Sequence, residues 1–115
     1  MDKGLFRLLA VYARTASRAV GLKPQAVSAS NGTVSIEGTG IRIRWSPDAL
    51  GEGRAGWEVT ETCHEMNLID DGEREETRKV VGVAAADVYG AARAALLAVA
   101  ERSVDAALGE AASIL

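Results

Sequence analysis

Residues 27–45 alternate between apolar and polar side chains on both sides of the dipeptide Asn31-Gly32. Both residues of that dipeptide accept the positive φ angles of a type I′ turn, which makes it a strong short-range signal for a β-hairpin. A turn there pairs Val27 with Ile36 and sets apolar residues opposite each other. A shift of one residue would turn these side chains to the other face, so the pattern fixes the register.

A second two-residue turn is predicted at Gly38-Thr39, where it pairs Val34 with Ile43. Both predicted turns place the same apolar side chains on one face of the sheet. The polar residues between them then line the opposite face. The sequence therefore predicts an antiparallel meander with one apolar surface.

The alternation resumes at Trp57, after a loop rich in Pro, Asp and Gly. A third turn at Asp71-Gly72 joins residues 57–69 to residues 74–83 as a long hairpin. Its distal half is highly charged, and we expect it to project beyond the packed sheet. The meander then has four to five strands, with Trp45 and Trp57 facing inward.

Residues 4–21 have helical periodicity and end at Gly21, before Pro24. Apolar residues fall on one broad arc of this helix, namely Leu5, Leu8, Leu9, Tyr12, Ala16, Ala19 and Val20. Basic residues fall on the opposite side, namely Lys3, Arg7, Arg14 and Arg18. The apolar arc is expected to cover the sheet.

Residues 84–115 contain 13 alanines and no proline, and they predict one long helix. Its larger apolar arc comprises Tyr89, Leu96, Leu97, Val104, Leu108, Ile114 and Leu115, which we expect to lie on the sheet. Both helices should then cover one face of the sheet in a single α+β domain that spans residues 1–115.

The composition narrows the class of protein. A chain of 115 residues with 48% hydrophobic and 25% charged residues can bury one core. The single cysteine, Cys63, excludes an internal disulfide. No run of eighteen apolar residues predicts a transmembrane helix, and the start of the chain does not resemble a secretory signal, so we expect a cytoplasmic protein.

Charge is segregated along the chain. Residues 1–45 carry seven Lys/Arg against two Asp/Glu, a net +5, whereas residues 46–79 carry four against ten, a net −6. The basic residues of the first helix form a possible anion-binding stripe. The chain has a net charge of −3 and only 4% aromatic residues, so nucleic acid is possible but is not the favoured partner.

Two short motifs match the sequence patterns of chemical sites but lack the structural context that such sites require. Residues 51–56 fit G-x-G-x-x-G, but a dinucleotide-binding loop precedes a helix, whereas here a strand follows. Cys63 and His64 are neighbours on a predicted strand, so they point to opposite faces and do not converge on a metal ion. The sequence therefore predicts no catalytic residue, no cofactor and no metal.

The tip of the long hairpin combines apolar and acidic residues, which are Met66, Leu68, Ile69, Asp70, Asp71, Glu73, Glu75 and Glu76. Apolar side chains on a projecting hairpin need a partner or a place on the domain. We interpret this tip as a binding site for another protein. The carboxylates lack the spacing of a calcium loop, so a calcium site is not predicted. The alternative to a binding site is a solvated hairpin tip.

Small side chains on the last helix let another backbone approach closely. We interpret them as a possible self-association face, formed by Ala91, Ala95, Ala98 and Ala106 and opposite the face on the sheet.

The favoured function is a non-enzymatic protein–protein interaction module that forms a homo-oligomer, such as a small assembly factor, chaperone or inhibitor. Small proteins of bacterial or phage accessory systems have this character. One alternative is a nucleic-acid-associated dimer that uses the basic N-terminal helix. Another is an enzyme whose site assembles between subunits from Tyr89, Arg93, His64 and Glu61.

Overall fold

The computed structural model describes the backbone of residues 1–67 and 72–114 and the side chains of residues 1–63 and 75–114. Helix α1 spans Lys3–Ala16 and α2 spans Val88–Ile114. Between them lie strands β1 (Val27–Ser30), β2 (Thr33–Ile36), β3 (Ile41–Ser46), β4 (Gly56–Asn67) and β5 (Gly72–Ala84). The strands form one antiparallel sheet in the order β1-β2-β3-β4-β5, so the predicted α+β meander of four to five strands is confirmed, and it has five.

Helix α1 begins and ends with local signals. The Oδ1 atom of Asp2 accepts hydrogen bonds from the backbone N–H groups of Gly4 (2.8 Å) and Leu5 (3.1 Å). These bonds satisfy two of the donors that a helix start leaves free. The chain tightens into a 3₁₀ turn over Ser17–Val20 and leaves the helical path at Gly21, which has a φ of 78°. Glycine adopts that left-handed conformation without a Cβ clash.

The first hairpin has the predicted register, in which Val27 lies opposite Ile36 and Ala29 opposite Val34. Asn31 and Gly32 have φ angles of 50° and 75°. Both values are positive, as a type I′ turn requires. The turn at Asn31-Gly32 and the apolar alternation of the two strands therefore specify the same register.

The second hairpin also has the predicted register, with Ile36 opposite Ile41, but its predicted two-residue turn is wrong. The connection is four residues long, 37–40, with positive φ at Gly38 and Gly40. The hydroxyl of Thr39 donates to the carbonyl of Ile36 (2.7 Å) and accepts from the N–H of Ile41 (3.1 Å). A side chain that bonds both strand ends stabilises the longer turn.

The core lies between one face of the sheet and the two helices. Its most deeply buried side chains from the sheet are Val34, Ile36, Ile41, Ile43, Trp57 and Val59. The ring of Trp57 stacks on Phe6 of α1 and meets Trp45 edge to face, with centroid distances of 6.3 Å and 5.2 Å. The predicted inward position of both tryptophans is confirmed, although Trp45 is only half-buried.

Helix α1 is rotated relative to the prediction. Its buried side chains are Leu9, Ala10, Ala13 and Ser17, whereas Leu8, Tyr12 and Ala16 of the predicted apolar arc are exposed. Phe6 of α1 stacks on Trp57 of the sheet, and Leu9, Ala10 and Ala13 of α1 belong to the same core cluster. The rest of the apolar arc faces sideways, along α2.

The long hairpin formed by β4 and β5 extends past the rest of the sheet. Glu61 is the last residue of β4 that pairs with β3, whereas β4 continues its pairing with β5 to Asn67. Every described side chain from Glu75 to Val81 is exposed. The expected projection of the distal half is therefore confirmed for the described residues.

The connection between β3 and β4 folds back over the sheet face that carries no helix. Ala49 of this loop is buried, and its carbonyl accepts a hydrogen bond from the ammonium group of Lys79. A Cβ at Gly82 would collide with the carbonyl oxygen of Ala49. The absence of a side chain at this position of β5 therefore lets the loop lie close to the sheet.

Candidate interaction surface

The two helices expose a row of large apolar side chains on the side away from the sheet. We call this row the outer helical face, and it comprises Leu8, Val11, Tyr12, Tyr89, Leu97, Val104, Leu108 and Ile114. Single exposed apolar residues are common on protein surfaces, but large contiguous patches are rare on monomers. The outer helical face is therefore the main candidate for an interaction surface.

A groove of about 330 Å³ runs between α1 and α2 within this face. The rings of Tyr12 from α1 and Tyr89 from α2 meet at the groove. Arg93 and Leu97 follow Tyr89 at four-residue steps along the α2 wall. Its walls are mainly apolar, and Arg93 is the one charged residue among those that line it. The groove is suited to an apolar side chain with an acidic neighbour.

The predicted self-association face is wrong for three of its four residues. Ala91, Ala95 and Ala98 are buried against the sheet, and Ala106 alone is exposed. Alanine lets the backbone of α2 approach a sheet that already carries isoleucine and tryptophan side chains. Of the larger residues that we expected on the sheet, Leu96 is buried as predicted, and Leu115 lies outside the described residues. The others are exposed, namely Tyr89, Leu97, Val104, Leu108 and Ile114.

The basic stripe of α1 is exposed as predicted, at Lys3, Arg7, Arg14 and Arg18. The Nε atom of Arg14 donates to the carbonyl of Val27 at 3.3 Å, so this guanidinium is partly held by β1. Arg14 and Arg18 line a shallow depression of about 280 Å³ with Thr15 and Pro24. Val11 of the outer helical face lies one turn from both Arg7 and Arg14, so the basic stripe adjoins that face.

The predicted hairpin-tip site lies largely outside the described residues. This applies to the whole of Leu68, Ile69, Asp70 and Asp71 and to the side chains of Met66 and Glu73. Glu75 and Glu76 are described, and both are exposed on β5. Partner binding by the tip stays a prediction.

A charged cluster around Glu61 was not predicted. Its carboxylate lies 3.4 Å from Nη2 of Arg78 and 3.8 Å from Nε of Arg102, although the Glu61 side chain is only 12% exposed. Arg102 extends from α2 to reach it. Arg93, the other arginine of α2, is exposed on the outer side of the helix instead.

Cys63 belongs to the same cluster and is half-buried. Its Sγ donates a hydrogen bond to Oε1 of Glu61 at 3.4 Å. This bond raises the pKa of the Cys63 thiol, and desolvation and the negative charge of Glu61 raise it further. A raised pKa keeps the thiol protonated, which works against a nucleophilic role.

Residues 51–56, the G-x-G-x-x-G segment, form a loop between two strands. Gly51 and Gly53 have φ angles of 123° and 71°, and the N–H of Gly53 donates to Oδ1 of Asp48 at 3.0 Å. The segment therefore serves as a turn, and no helix starts after it to hold a phosphate.

Within the part of the chain that the structure describes, no group of three or more His, Cys, Asp or Glu side chains could hold a metal ion. No described helix is long and apolar enough to span a bilayer. The fold and this surface define an α+β protein with two helices on one sheet face and an exposed apolar groove between them. Comparison with models of protein families, with curated proteins and with solved structures found no match.

Proposed function

We propose that the chain is a non-enzymatic protein–protein interaction module, an assembly factor, chaperone or inhibitor that binds a helix of another protein molecule on its outer helical face. The observation that carries this proposal is the exposure of eight large apolar side chains on the two helices. Helix-in-groove recognition uses such a surface, with anchors at helical spacing that enter an apolar groove.

The size of the outer helical face supports the proposal. A fully exposed aromatic side chain presents roughly 150–250 Å² and an aliphatic one somewhat less, so the exposed fractions of these side chains amount to roughly 800 Å². Specific interfaces bury about 800 Å² on each partner. The apolar area that the outer helical face exposes is therefore similar to the area that one partner buries in a specific interface.

The distribution of polar groups favours binding over catalysis. Tyr89 and Arg93 line the groove, whereas Glu61 lies in the separate cluster with Arg78 and Arg102. Among the described residues, the one resolved pKa shift makes the Cys63 thiol less reactive. An intersubunit enzyme would have to bring these separated groups together.

A comparison of matched variants tests the proposal. Leu97→Asp combined with Val104→Asp places two charges on the outer helical face, and Arg54→Glu changes a charge in the β3–β4 loop, away from that face. In affinity capture from a cell lysate, we expect a protein that is retained by the wild-type chain and by Arg54→Glu to be lost with the double variant. Equal retention by all three chains, with unchanged folding by circular dichroism, would contradict the proposal.

The exposed basic stripe supports a second candidate, a nucleic-acid-associated dimer. Phosphate contacts by Arg7, Arg14 and Arg18 would give binding that weakens as salt is raised. A mobility shift of duplex DNA that is lost on charge reversal of these three arginines, and kept in the Leu97→Asp/Val104→Asp variant, would favour this candidate. The favoured function predicts no shift at physiological salt.

A further inference from the structure

Helix α2 carries one stripe along its whole length on the side away from the sheet. The stripe follows three- and four-residue steps through Gly90, Arg93, Leu97, Ala100, Val104, Ala107, Ala111 and Ile114. Such steps place side chains on one side of a helix and form the seam of paired helices. The stripe spans more than three heptads.

The second half of α2 extends beyond its own sheet. Val88 to Val99 contains all the buried residues of the helix, whereas every described residue from Ser103 to Ile114 is exposed. Short helical segments gain most of their stability from packing an apolar face. The projecting half, with Val104, Leu108 and Ile114 exposed, therefore lacks a covering surface within the described part of its own chain.

We propose that α2 pairs in antiparallel orientation with α2 of a second copy of this chain, about a two-fold axis near Arg102. This inference rests on the proposed function and names the partner as a second copy. A two-fold contact requires a surface that is complementary to itself, in which residue i meets j and j meets i.

The stripe has this self-complementarity. With the axis near Arg102, the antiparallel layers pair Gly90 with Ile114, Arg93 with Ala111, Leu97 with Ala107 and Ala100 with Val104. Each layer sets one large side chain against one small one. Alternation of large and small residues fills a helix interface without clashes or voids.

The same arrangement covers the groove. Residues 107–114 of one copy lie along residues 90–97 of the other, where the groove between α1 and α2 is open. The projecting half of each helix thus covers the apolar wall beside Tyr89 and Tyr12 of the second copy. The two-fold axis repeats this contact, so each copy both provides and fills a groove.

Charge selects the antiparallel orientation. Arg93 is the one charged residue in the stripe, and it makes no ion pair with any described residue. In antiparallel pairing it meets Ala111 of the second copy. Glu110 of that copy flanks the seam one residue before Ala111, at a position from which side chains form ion pairs between helices, so the long Arg93 side chain can reach its carboxylate. Parallel pairing would set the two Arg93 side chains against each other. Like charges at a helix seam disfavour that orientation.

Sedimentation equilibrium of the full chain tests this pairing. The wild-type mass should rise with concentration from 12.0 kDa to twice that value. Arg93→Glu and Glu110→Arg should each raise the dissociation constant about tenfold or more, because each creates two like-charge contacts across the axis. The double reversal should restore the constant to within about threefold of wild type. Arg7→Glu, a matched control on α1, should leave it unchanged.

Three results would overturn the pairing. One is a wild-type chain that stays monomeric at all concentrations, and another is a dimer that Leu97→Asp does not weaken. The third is a double reversal that binds more weakly than either single one. A monomer that still binds another protein through the outer helical face would refute only the second copy as partner. Both proposals fail if charged substitutions on that face change no interaction.

Discussion

The rings of Tyr12 in α1 and Tyr89 in α2 meet edge to face, with their centroids 6.2 Å apart and their planes at 83°. Both rings are substantially exposed, at 38% and 66%. An aromatic pair at the surface therefore holds the two helices together beside the groove. It contributes to the fold and presents an apolar rim to a bound helix.

Tyr89→Ala should lower the free energy of unfolding by about 1 kcal/mol, because edge-to-face pairs contribute about 0.5–1.5 kcal/mol beyond their burial. Urea denaturation in an Arg93→Glu background removes the contribution of self-association. Tyr89→Phe keeps the ring and serves as the control, with stability close to that of the background. Equal stability of the alanine and phenylalanine variants would show that the ring pair does not hold the helices.

Glycine-to-alanine substitutions at positions 82 and 109 should have opposite effects. Gly82→Ala places a Cβ against the carbonyl of Ala49, so the β3–β4 loop must move, at a cost of about 1–3 kcal/mol. Gly109 lies inside α2 with nothing within 4 Å of a Cβ, so Gly109→Ala should stabilise the helix by up to about 1 kcal/mol. Thermal unfolding of both variants checks the signs. A stabilised Gly82→Ala variant would contradict the described loop position.

Trp57→Phe should lower the free energy of unfolding by about 2–3 kcal/mol. The side chain is fully buried, and its Nε1 donates to the carbonyl of Ala85 at 2.9 Å, so the substitution leaves a cavity and a carbonyl without its donor. The half-buried Trp45 offers a matched control, and Trp45→Phe should cost less. Urea denaturation followed by circular dichroism measures both. A larger loss at Trp45 would place the centre of the core elsewhere.

The hydrogen bond from Cys63 to Glu61 raises the pKa of the thiol and therefore the pH at which the thiol becomes reactive. The folded chain raises the pKa of this thiol, so the bond stabilises the fold below the unfolded thiol pKa, and this stabilisation is lost as pH rises through the folded pKa. The pH midpoint of alkylation by iodoacetamide should lie above the midpoint in urea, and Glu61→Gln should lower it. An unchanged midpoint in Glu61→Gln would show that the carboxylate does not control the thiol.

The strand registers were predictable because their signals are local. The alternation around Asn31-Gly32 specifies both the turn and the face, and Val27 meets Ile36 as predicted. The second turn is longer than predicted because the Thr39 hydroxyl hydrogen-bonds the backbone of both Ile36 and Ile41. The alternation of apolar and polar residues does not encode such a bond.

The orientation of the helices was not predictable from periodicity. Helix α2 has apolar residues almost all round, so the contrast that selects a buried face is weak. The close approach allowed by Ala91 and Ala95 decided which side lies on the sheet, and this depends on the sheet beneath. The contact between Glu61 and Arg102 joins residues far apart in sequence, and no local sequence pattern predicts it.

The central claim is that the outer side of α2 meets the same helix of a second copy in antiparallel orientation. Cysteine cross-linking in a Cys63→Ser background tests it, with Ala100→Cys on one isotope-labelled chain and Val104→Cys on an unlabelled one. The antiparallel layer predicts that mixed disulfide dimers dominate after mild oxidation, and that Glu52→Cys in the β3–β4 loop gives none. Two results would contradict the account. One is disulfide dimers formed mainly between two Ala100→Cys chains or between two Val104→Cys chains, and the other is cross-linking no greater than that of the loop control.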